Sequence, residues 1–181
     1  MLGIETVAVL GAGRDAVRAA LLCSLAGLDV RLSAEEAGAL DGAFKALRHD
    51  VEQALSGGLI GREERQRILD GILFTPDLDE AVAGADLVYA ADAADATSAL
   101  QLLQRLARSC RATALLATSA DPSAIAGSVL QPGRVVALAL EDDDLPLPRL
   151  ALRAGSTTTT HARARGEQFV ERVNRAGGKH R

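Results

Sequence analysis

The stretch Thr6–Ala16, with the sequence TVAVLGAGRDA, decides the fold of this chain. Residues Thr6–Leu10 are all β-branched or aliphatic, which is typical of a buried parallel strand. Gly11–Gly13 permits a tight turn and a close approach of the backbone, and Arg14–Gly27 has the composition of a helix. A strand, a glycine turn and a helix in this order form the G-x-G-x-x-A version of the dinucleotide-binding fingerprint. In that fingerprint the pyrophosphate binds the N–H groups that open the helix.

The candidate cofactor site combines this turn with an acidic residue after the second strand. The acidic residue that binds the adenosine ribose is expected about twenty positions past the glycines, which falls on Ala34 with Glu35 beside it. Glu35 is also consistent with the first turn of a helix, where the macrodipole favours negative charge. The candidate cofactor-binding residues are Gly11, Ala12, Gly13, Arg14, Asp15, Ala16 and Glu35.

Charged residues in the first turn leave the choice between NAD and NADP open. The Asp15 carboxylate complements the helix dipole and repels an incoming pyrophosphate. Arg14 would offset that charge or contact a 2′-phosphate, and Ala16 at the place of the third glycine is common in NADP-type fingerprints. A surface arginine and a helix-starting aspartate explain the first two residues equally well.

Predicted strands and helices alternate along the rest of the chain. The further strands are expected at Asp29–Leu32, Ile72–Phe74, Ala85–Ala90, Ala112–Thr118, Val135–Leu140 and Leu150–Arg153. The further helices are expected at Glu35–Leu55, Arg62–Leu69, Asp77–Ala83, Asp95–Ser109, a short one from Asp121-Pro122, and His161–Ala176. This order predicts a doubly wound, mostly parallel α/β sheet of the Rossmann type, in one domain over residues 1–181, with a helical hairpin over Ala39–Asp70 after the second strand.

Composition narrows the range of partners. The 181 residues have a formal net charge of −4, which argues against nucleic acid as a main partner. No apolar run is long enough to span a bilayer, and the N-terminus has no signal-peptide pattern, so we expect a cytoplasmic protein with no membrane contact. Cys23 and Cys110 fall in apolar helical contexts and are expected to be reduced structural thiols. Glu141–Asp144 lacks the spaced ligands and glycine of a calcium loop, so we predict a solvated loop and no metal site.

These motifs together resemble the N-terminal NAD-binding domain of the 3-hydroxyacyl-CoA dehydrogenase family. The resemblance covers about residues 4–179 and is most specific at Thr75–Val88, where the family has T-x-D-L-x-E-A-x-x-x-A-D-L-V. The segments that resemble the family are VAVLGAGRDA (7–16), the helical hairpin, FTPDLDEAVAGADLVYAA (74–91), ALLATSADPSAIA (114–126) and PGRVVALAL (132–140). In the family a helical C-terminal domain follows, which makes much of the substrate site and the dimer; we expect that domain to be absent here.

The resemblance also implies where the family's catalytic residues should lie. The family oxidises a secondary alcohol with a His base, oriented by a Glu, and passes hydride to nicotinamide. Ala139 falls at the place of the His, Ala151 near the place of the Glu, and Asp142 where an Asn follows the His. Other polar positions of the family fall on Ala90, Ala94, Ala99 and Ser119-Ala120-Asp121. His49, His161 and His180 are predicted on helices or in the tail, away from the strand ends, and no catalytic residue is assigned.

Three hypotheses for function follow. The first, which these substitutions favour, is a catalytically degenerate relative that has a scaffolding or regulatory role and residual dinucleotide binding. The second is an NAD(P)-dependent oxidoreductase that acts on 3-hydroxyacyl-CoA-like substrates by a different proton route or with a partner chain. The third is a nucleotide-sensing module that binds without reacting. The exposed edges of the predicted sheet favour a homodimer or another protein partner.

Overall fold

A seven-stranded sheet with the order β3-β2-β1-β4-β5-β6-β7 organises the chain. The computed structural model describes residues 3–92, 95–125, 128, 131–142 and 146–178. The strands are β1 (Thr6–Leu10), β2 (Asp29–Ser33), β3 (Ile72–Thr75), β4 (Leu87–Ala90), β5 (Leu115–Thr118), β6 (Val135–Glu141) and β7 (Arg149–Ala154). The helices are α1 (Arg14–Leu25), α2 (Ala37–Ser56), α3 (Arg62–Gly71), α4 (Leu78–Val82), α5 (Ala96–Ser109), α6 (Pro122–Ile125) and α7 (Thr160–Gly178).

The topology confirms the predicted doubly wound sheet. Strands β1 to β6 are parallel, and β7 pairs antiparallel with β6. The chain runs outward from β1 through β2 and β3, and then returns to place β4 on the other side of β1. This reversal of strand order creates a crevice at the carboxyl ends of β1 and β4, where open α/β sheets bind ligands.

Helices cover both faces of the sheet, because successive residues of a strand point to opposite sides. Val7 and Val9 of β1 pack into a core with residues of α1, α2 and α7. Ala8 and Leu10 face the other way and pack into a second core with residues of α5 and α6. The predicted hairpin is confirmed as α2 and α3, and the chain turns between them at Gly58 with a φ of 70°.

Several predicted strand bounds differ from the observed ones, and at β5 and β7 the reason is local. The expected strand Ala112–Thr118 begins only at Leu115, because Ala114 N–H donates to the carbonyl of Arg111 and closes a turn. The Arg134 guanidinium holds this turn by donating to the carbonyls of Arg111 and Ala114, at 2.8 and 3.3 Å. The final strand, β7, is longer than expected, because six of its residues pair with β6.

Other sequence expectations concern thiols, membranes and metals. Cys23 and Cys110 are buried and free, as predicted. No helix in the described part of the chain has the length and apolar character needed to cross a membrane. The described residues also contain no cluster of three or more His, Cys, Asp or Glu side chains suited to a metal ion. Asp143 and Asp144 of the acidic run lie outside the described residues.

Candidate functional site

The glycine turn lies at the carboxyl end of β1 and leads directly into α1. Gly11 has a φ of +128°, a backbone conformation that a residue with a side chain rarely adopts. Its N–H donates to the carbonyl of Ser33 at 2.8 Å, which fixes the turn against the end of β2. Gly13 is the N-cap of α1 and has no side chain with which to cap the helix. The N–H groups of this turn are therefore directed at whatever acceptor lies in the crevice.

That acceptor is the side chain of Asp92. Its Oδ2 atom accepts hydrogen bonds from the N–H groups of Ala12 and Gly13, at 2.7 and 2.5 Å. A Cβ atom built on Gly11 would lie 2.5 Å from the Asp92 carboxyl group, and one built on Gly13 would lie 2.9 Å from it. The glycines thus allow the carboxylate to approach the backbone as closely as a bound phosphate would. A negative oxygen of the chain itself occupies the amides that open α1.

The topology explains why Asp92 reaches the turn. Strands β1 and β4 are parallel neighbours, with Leu10 opposite Ala90. The N–H of Ala91 donates to the carbonyl of Leu10 at 3.0 Å and extends the pairing by one residue. The next residue, Asp92, therefore emerges beside the glycine turn. Its charge complements the positive end of the α1 dipole.

A cavity of about 350 Å³ adjoins this contact. Four apolar side chains form most of its wall: Leu10, Ala34, Leu78 and Leu102. Its polar lining comprises Ser33, Glu35, Asp92 and Ser98. The volume lies in the range of small-molecule pockets, and a mostly apolar wall with a few polar groups is typical of such sites.

The predicted ribose-binding position lies in this cavity. Ala34 and Glu35 both line it, so the structure brings this part of the candidate site next to the glycine turn. The Glu35 carboxylate is bonded to the Arg105 guanidinium at 3.0 Å, and both side chains are largely exposed. A ribose hydroxyl group would share Glu35 with that guanidinium.

The remaining candidates of the first turn surround the contact without forming it. Arg14 and Asp15 are exposed at the start of α1, whereas Ala16 is fully buried in the core. The acidic residue that reaches the turn amides is Asp92, and Asp15 lies in the first turn beside it. The structure therefore places two carboxylates at the positive end of α1.

Tyr89 is a buried titratable residue on β4, shortly before Asp92 in the sequence. Its hydroxyl group donates to the carbonyl of Leu138 at 3.2 Å, across β5. Burial raises the pKa of Tyr89 well above its usual range, and the negative charges of Asp15 and Asp92 raise it further. The phenol therefore stays protonated and bonded, which makes it unsuited to act as a base.

The positions at which the resemblance places an acid–base pair lie side by side. Ala139 on β6 and Ala151 on β7 are direct partners in the antiparallel pairing. Residues opposite each other in such a pair have Cβ atoms about 5 Å apart, close enough for two functional side chains to interact. Both residues present methyl groups, which neither accept nor donate a proton.

The other described positions of the resemblance include buried alanines and polar residues of turns. Ala90 and Ala99 are fully buried, and Ala94 lies outside the described residues. Asp121 Oδ1 accepts from the N–H of Ser123 at 2.9 Å at the start of α6. Asp142 is exposed in a left-handed conformation with a φ of 57°.

Two of the histidines lie at exposed positions on helices, as predicted. His49 is exposed on α2, with its ring nitrogen 3.0 Å from the Gln53 side-chain nitrogen. His161 is exposed in the first turn of α7. His180 lies outside the described residues.

Several polar side chains of the segment Thr75–Val88 make hydrogen bonds within the fold. Asp77 Oδ1 caps α4 by accepting from the N–H groups of Asp79 and Glu80. Asp86 Oδ2 accepts from the N–H groups of Glu5 and Thr6, at 3.1 Å each, and so attaches the start of β4 to the start of β1. These bonds shape the βαβ unit that faces the crevice.

Comparison with known proteins agrees with this geometry. The family model for the 3-hydroxyacyl-CoA dehydrogenase NAD-binding domain matches residues 6–175. The chain belongs to this family. A search of curated protein sequences found no significant match.

Solved structures of this family superimpose on nearly the whole chain. The 3-hydroxybutyryl-CoA dehydrogenase of Escherichia coli K12 has a TM-score of 0.82 and 26% identity, with 98% of this chain and 37% of that one covered. FadB2 of Mycobacterium tuberculosis has a TM-score of 0.87 and 26% identity, with 98% and 62% covered. The chain thus spans between about a third and two thirds of the length of these two relatives.

Asp92 is the residue of this NAD-binding domain that motif reasoning missed. The dinucleotide fingerprint directs attention to the residues after β1, and Asp92 comes eighty positions after Ala12. One signal was present in the sequence: a carboxylate placed two residues beyond Ala90, the end of a predicted buried strand that the structure pairs with β1. Parallel pairing brings the ends of such neighbours together, so an acidic residue there is a candidate for contact with the turn.

Proposed function

We propose that this 3-hydroxyacyl-CoA dehydrogenase-type domain is catalytically degenerate and has a scaffolding or regulatory role. The observation that supports this most strongly is the pairing of Ala139 with Ala151 across β6 and β7. The family resemblance places the His base and the Glu that orients it at or near these two positions. The domain keeps the sheet and the crevice, whereas this pair has no group that can move a proton.

The physical argument concerns proton removal from a secondary alcohol. Hydride transfer from the carbinol carbon requires that the hydroxyl proton goes to a base within hydrogen-bonding distance. Tyr89 does not provide one, since its hydroxyl donates to Leu138 and its pKa is raised. Residues of a catalytic pair act as a unit, so losing both members removes most of the rate enhancement that the pair supplies.

Residual binding of NAD or NADP is part of the proposal. The glycine turn and the adjoining cavity of about 350 Å³ support it. The amides of Ala12 and Gly13 would become available to a pyrophosphate once Asp92 is displaced, the apolar wall suits a nucleobase, and Glu35 suits a ribose hydroxyl. Bound dinucleotide would supply a hydride acceptor or donor in the family's chemistry.

The competing function is an oxidoreductase whose proton route comes from another chain or domain. The intact glycine turn and cavity favour it, because a domain with no ligand would not need either. It predicts turnover of a 3-hydroxyacyl-CoA only when the missing groups are supplied.

Turnover by the chain alone tests catalytic degeneracy. Purified protein is incubated with 3-hydroxybutyryl-CoA and NAD or NADP, and reduced cofactor is measured by fluorescence. We expect no rate above that of a sample without protein. A matched double variant, Ala139→His with Ala151→Glu, tests whether the two positions are adjacent to the reacting atoms. Steady turnover by the unmodified chain alone would refute catalytic degeneracy.

Self-association is a further part of the proposal. Strands β3 and β7 form the two edges of the sheet, and on β7 the backbone groups of Leu150 are already bonded to Asn174. On the β3 side Leu73 is 43% exposed and Phe44 is 37% exposed, which leaves apolar surface uncovered. We expect a homodimer in light scattering after gel filtration. A monomer at every concentration tested would overturn this part.

A further inference from the structure

We propose that Asp92 is an internal competitor for the phosphate groups of a nucleotide, so that the cavity admits a neutral nucleoside in preference to a nucleoside diphosphate. This inference rests on the proposed binding of a nucleotide in the cavity and deepens it by naming the ligand class. It concerns binding alone.

Asp92 occupies the backbone amides that a pyrophosphate would use. The N–H groups of Ala12 and Gly13 at the start of α1 are the donors to which the fingerprint assigns the pyrophosphate. Both donate to one atom, Asp92 Oδ2, at 2.7 and 2.5 Å. Each N–H has one hydrogen to give, so a phosphate oxygen gains these bonds only after Asp92 has left.

Asp92 also changes the charge at the start of α1. An ionised carboxylate in this place neutralises the positive end of the α1 dipole, which would otherwise attract a phosphate. Asp15 adds a second carboxylate in the first turn of the same helix. These two carboxylates outnumber the guanidinium of Arg14 in the same turn, so an incoming diphosphate meets net negative charge at the start of α1.

The chain itself holds the Asp92 carboxylate beside the amides. Asp92 follows directly on β4, whose partner β1 leads into the turn, so the carboxylate is always beside the amides. A tethered group competes at an effective concentration far above that of a free ligand. The Asp92 side chain is exposed, and two hydrogen bonds hold it against the turn. A diphosphate must first displace the Asp92 carboxylate, which lowers its affinity but does not close the cavity.

With Asp92 on the amides, the rest of the cavity is still available to a ligand. Beyond Asp92 the cavity keeps its apolar wall of Leu10, Leu78 and Leu102 and its polar Ser33, Glu35 and Ser98. These groups suit a base and a ribose, neither of which needs the turn amides. Glu35 accepts a hydrogen bond from a neutral hydroxyl group but repels a phosphate. The cavity lining therefore favours an uncharged nucleoside over a nucleoside diphosphate.

The experiment compares adenosine and ADP by calorimetric titration of the unmodified protein and three variants. Asp92→Ala removes the competing acceptor, and Asp92→Asn keeps its size but removes its charge. Asp15→Asn is the matched control, since it removes one negative charge from the same helix turn without freeing either amide. Circular dichroism and thermal melting establish that each variant is folded, and Asp92→Asn serves if Asp92→Ala is not.

The unmodified protein is expected to bind ADP no more tightly than adenosine. In Asp92→Ala the ADP affinity should rise by about tenfold or more, with adenosine affinity changed by less than about threefold, because charge-assisted bonds to the amides become available. Asp15→Asn should raise ADP affinity by less than about threefold, as expected for an exposed charge that is screened by salt.

Three results would overturn the inference. These are ADP binding at least tenfold tighter than adenosine in the unmodified protein, equal ADP affinity with and without Asp92, or no binding of either ligand by any of the four proteins. Turnover is not measured here, so a failure of this inference leaves the argument from Ala139 and Ala151 standing. Conversely, dehydrogenase activity would refute degeneracy without touching the order of ADP and adenosine.

Discussion

At the scale of single residues, Gly11 and Asp92 depend on each other. Gly11 has a φ of +128°, and its missing side chain leaves the space in which the Asp92 carboxyl group lies. A Cβ atom on Gly11 would approach that carboxyl group to 2.5 Å, closer than two non-bonded atoms can come. Any substitution of Gly11 therefore has two separate costs, backbone strain and a clash with Asp92.

Gly11→Ala should lower the free energy of unfolding by about 1–3 kcal/mol from backbone strain alone, with the clash adding to it. In an Asp92→Ala background the clash is gone and the strain remains. Urea unfolding of both single variants and the double variant should thus show that the double variant is more stable than additivity predicts. Strict additivity would mean that Asp92 moves away from the turn at no cost.

Cys23 should be inert toward alkylating reagents in the folded protein. Complete burial raises the pKa of its thiol to about 12, so the reactive thiolate is scarce at neutral pH. Iodoacetamide at pH 8 should leave Cys23 unmodified in native protein and modify it after denaturation, as followed by mass spectrometry of peptides. Rapid labelling of native Cys23 would show that α1 opens readily, since the residue lies on its buried face.

At the scale of elements, one side chain attaches the last helix to the last strand. The Asn174 amide on α7 accepts from the N–H of Leu150 at 2.9 Å and donates to its carbonyl at 2.8 Å. Gly166 allows the same helix to approach β7 closely, because a Cβ there would lie 2.3 Å from the Leu152 side chain. Helix α7 thus holds the strand whose residue Ala151 faces Ala139.

Asn174→Ala should lower the free energy of unfolding by about 1–3 kcal/mol, because two backbone groups of β7 lose their partner. Gln168→Ala on the same helix is the control, since its exposed side chain makes no such bridge to β7. We expect the control to change stability by less than about 0.5 kcal/mol. Equal effects of the two variants in urea unfolding would contradict this role for Asn174.

The elements themselves were largely predictable from the sequence. Short aliphatic runs such as Thr6–Leu10 have the length and β-branched content typical of a buried strand, and the glycines at Gly57 and Gly58 separate the two hairpin helices. The bounds of β5 and β7 were less predictable, because they depend on tertiary partners. Arg134 holds the turn before β5, and pairing with β6 extends β7 to Ala154.

At the scale of the whole molecule, the candidate site shows what a linear pattern omits. The fingerprint predicted that Gly11 and Glu35 belong to one cofactor site, and both line the same cavity at the ends of β1 and β2. It did not reveal that Asp92 lies on the amides, since that contact joins residues eighty positions apart through the pairing of β1 with β4. Nor does a sequence show that Glu35 is bonded to Arg105 on α5.

The molecule therefore combines the fold of a dehydrogenase domain with two local departures from it. A carboxylate of the chain occupies the amides of the glycine turn, and methyl groups stand at the paired positions of β6 and β7. In the proposed account, the first departure weakens binding of a phosphate and the second removes a proton relay. The seven-stranded sheet is intact around both.

The most direct test of this account is a measurement of the amide protons of Ala12 and Gly13 by NMR on labelled protein. A hydrogen bond to a carboxylate shifts an amide proton to low field, so both resonances should lie downfield and return toward ordinary values in Asp92→Asn. Addition of ADP to the unmodified protein should leave them in place. Identical resonances with and without the Asp92 carboxylate, or a shift of both at stoichiometric ADP, would contradict the account.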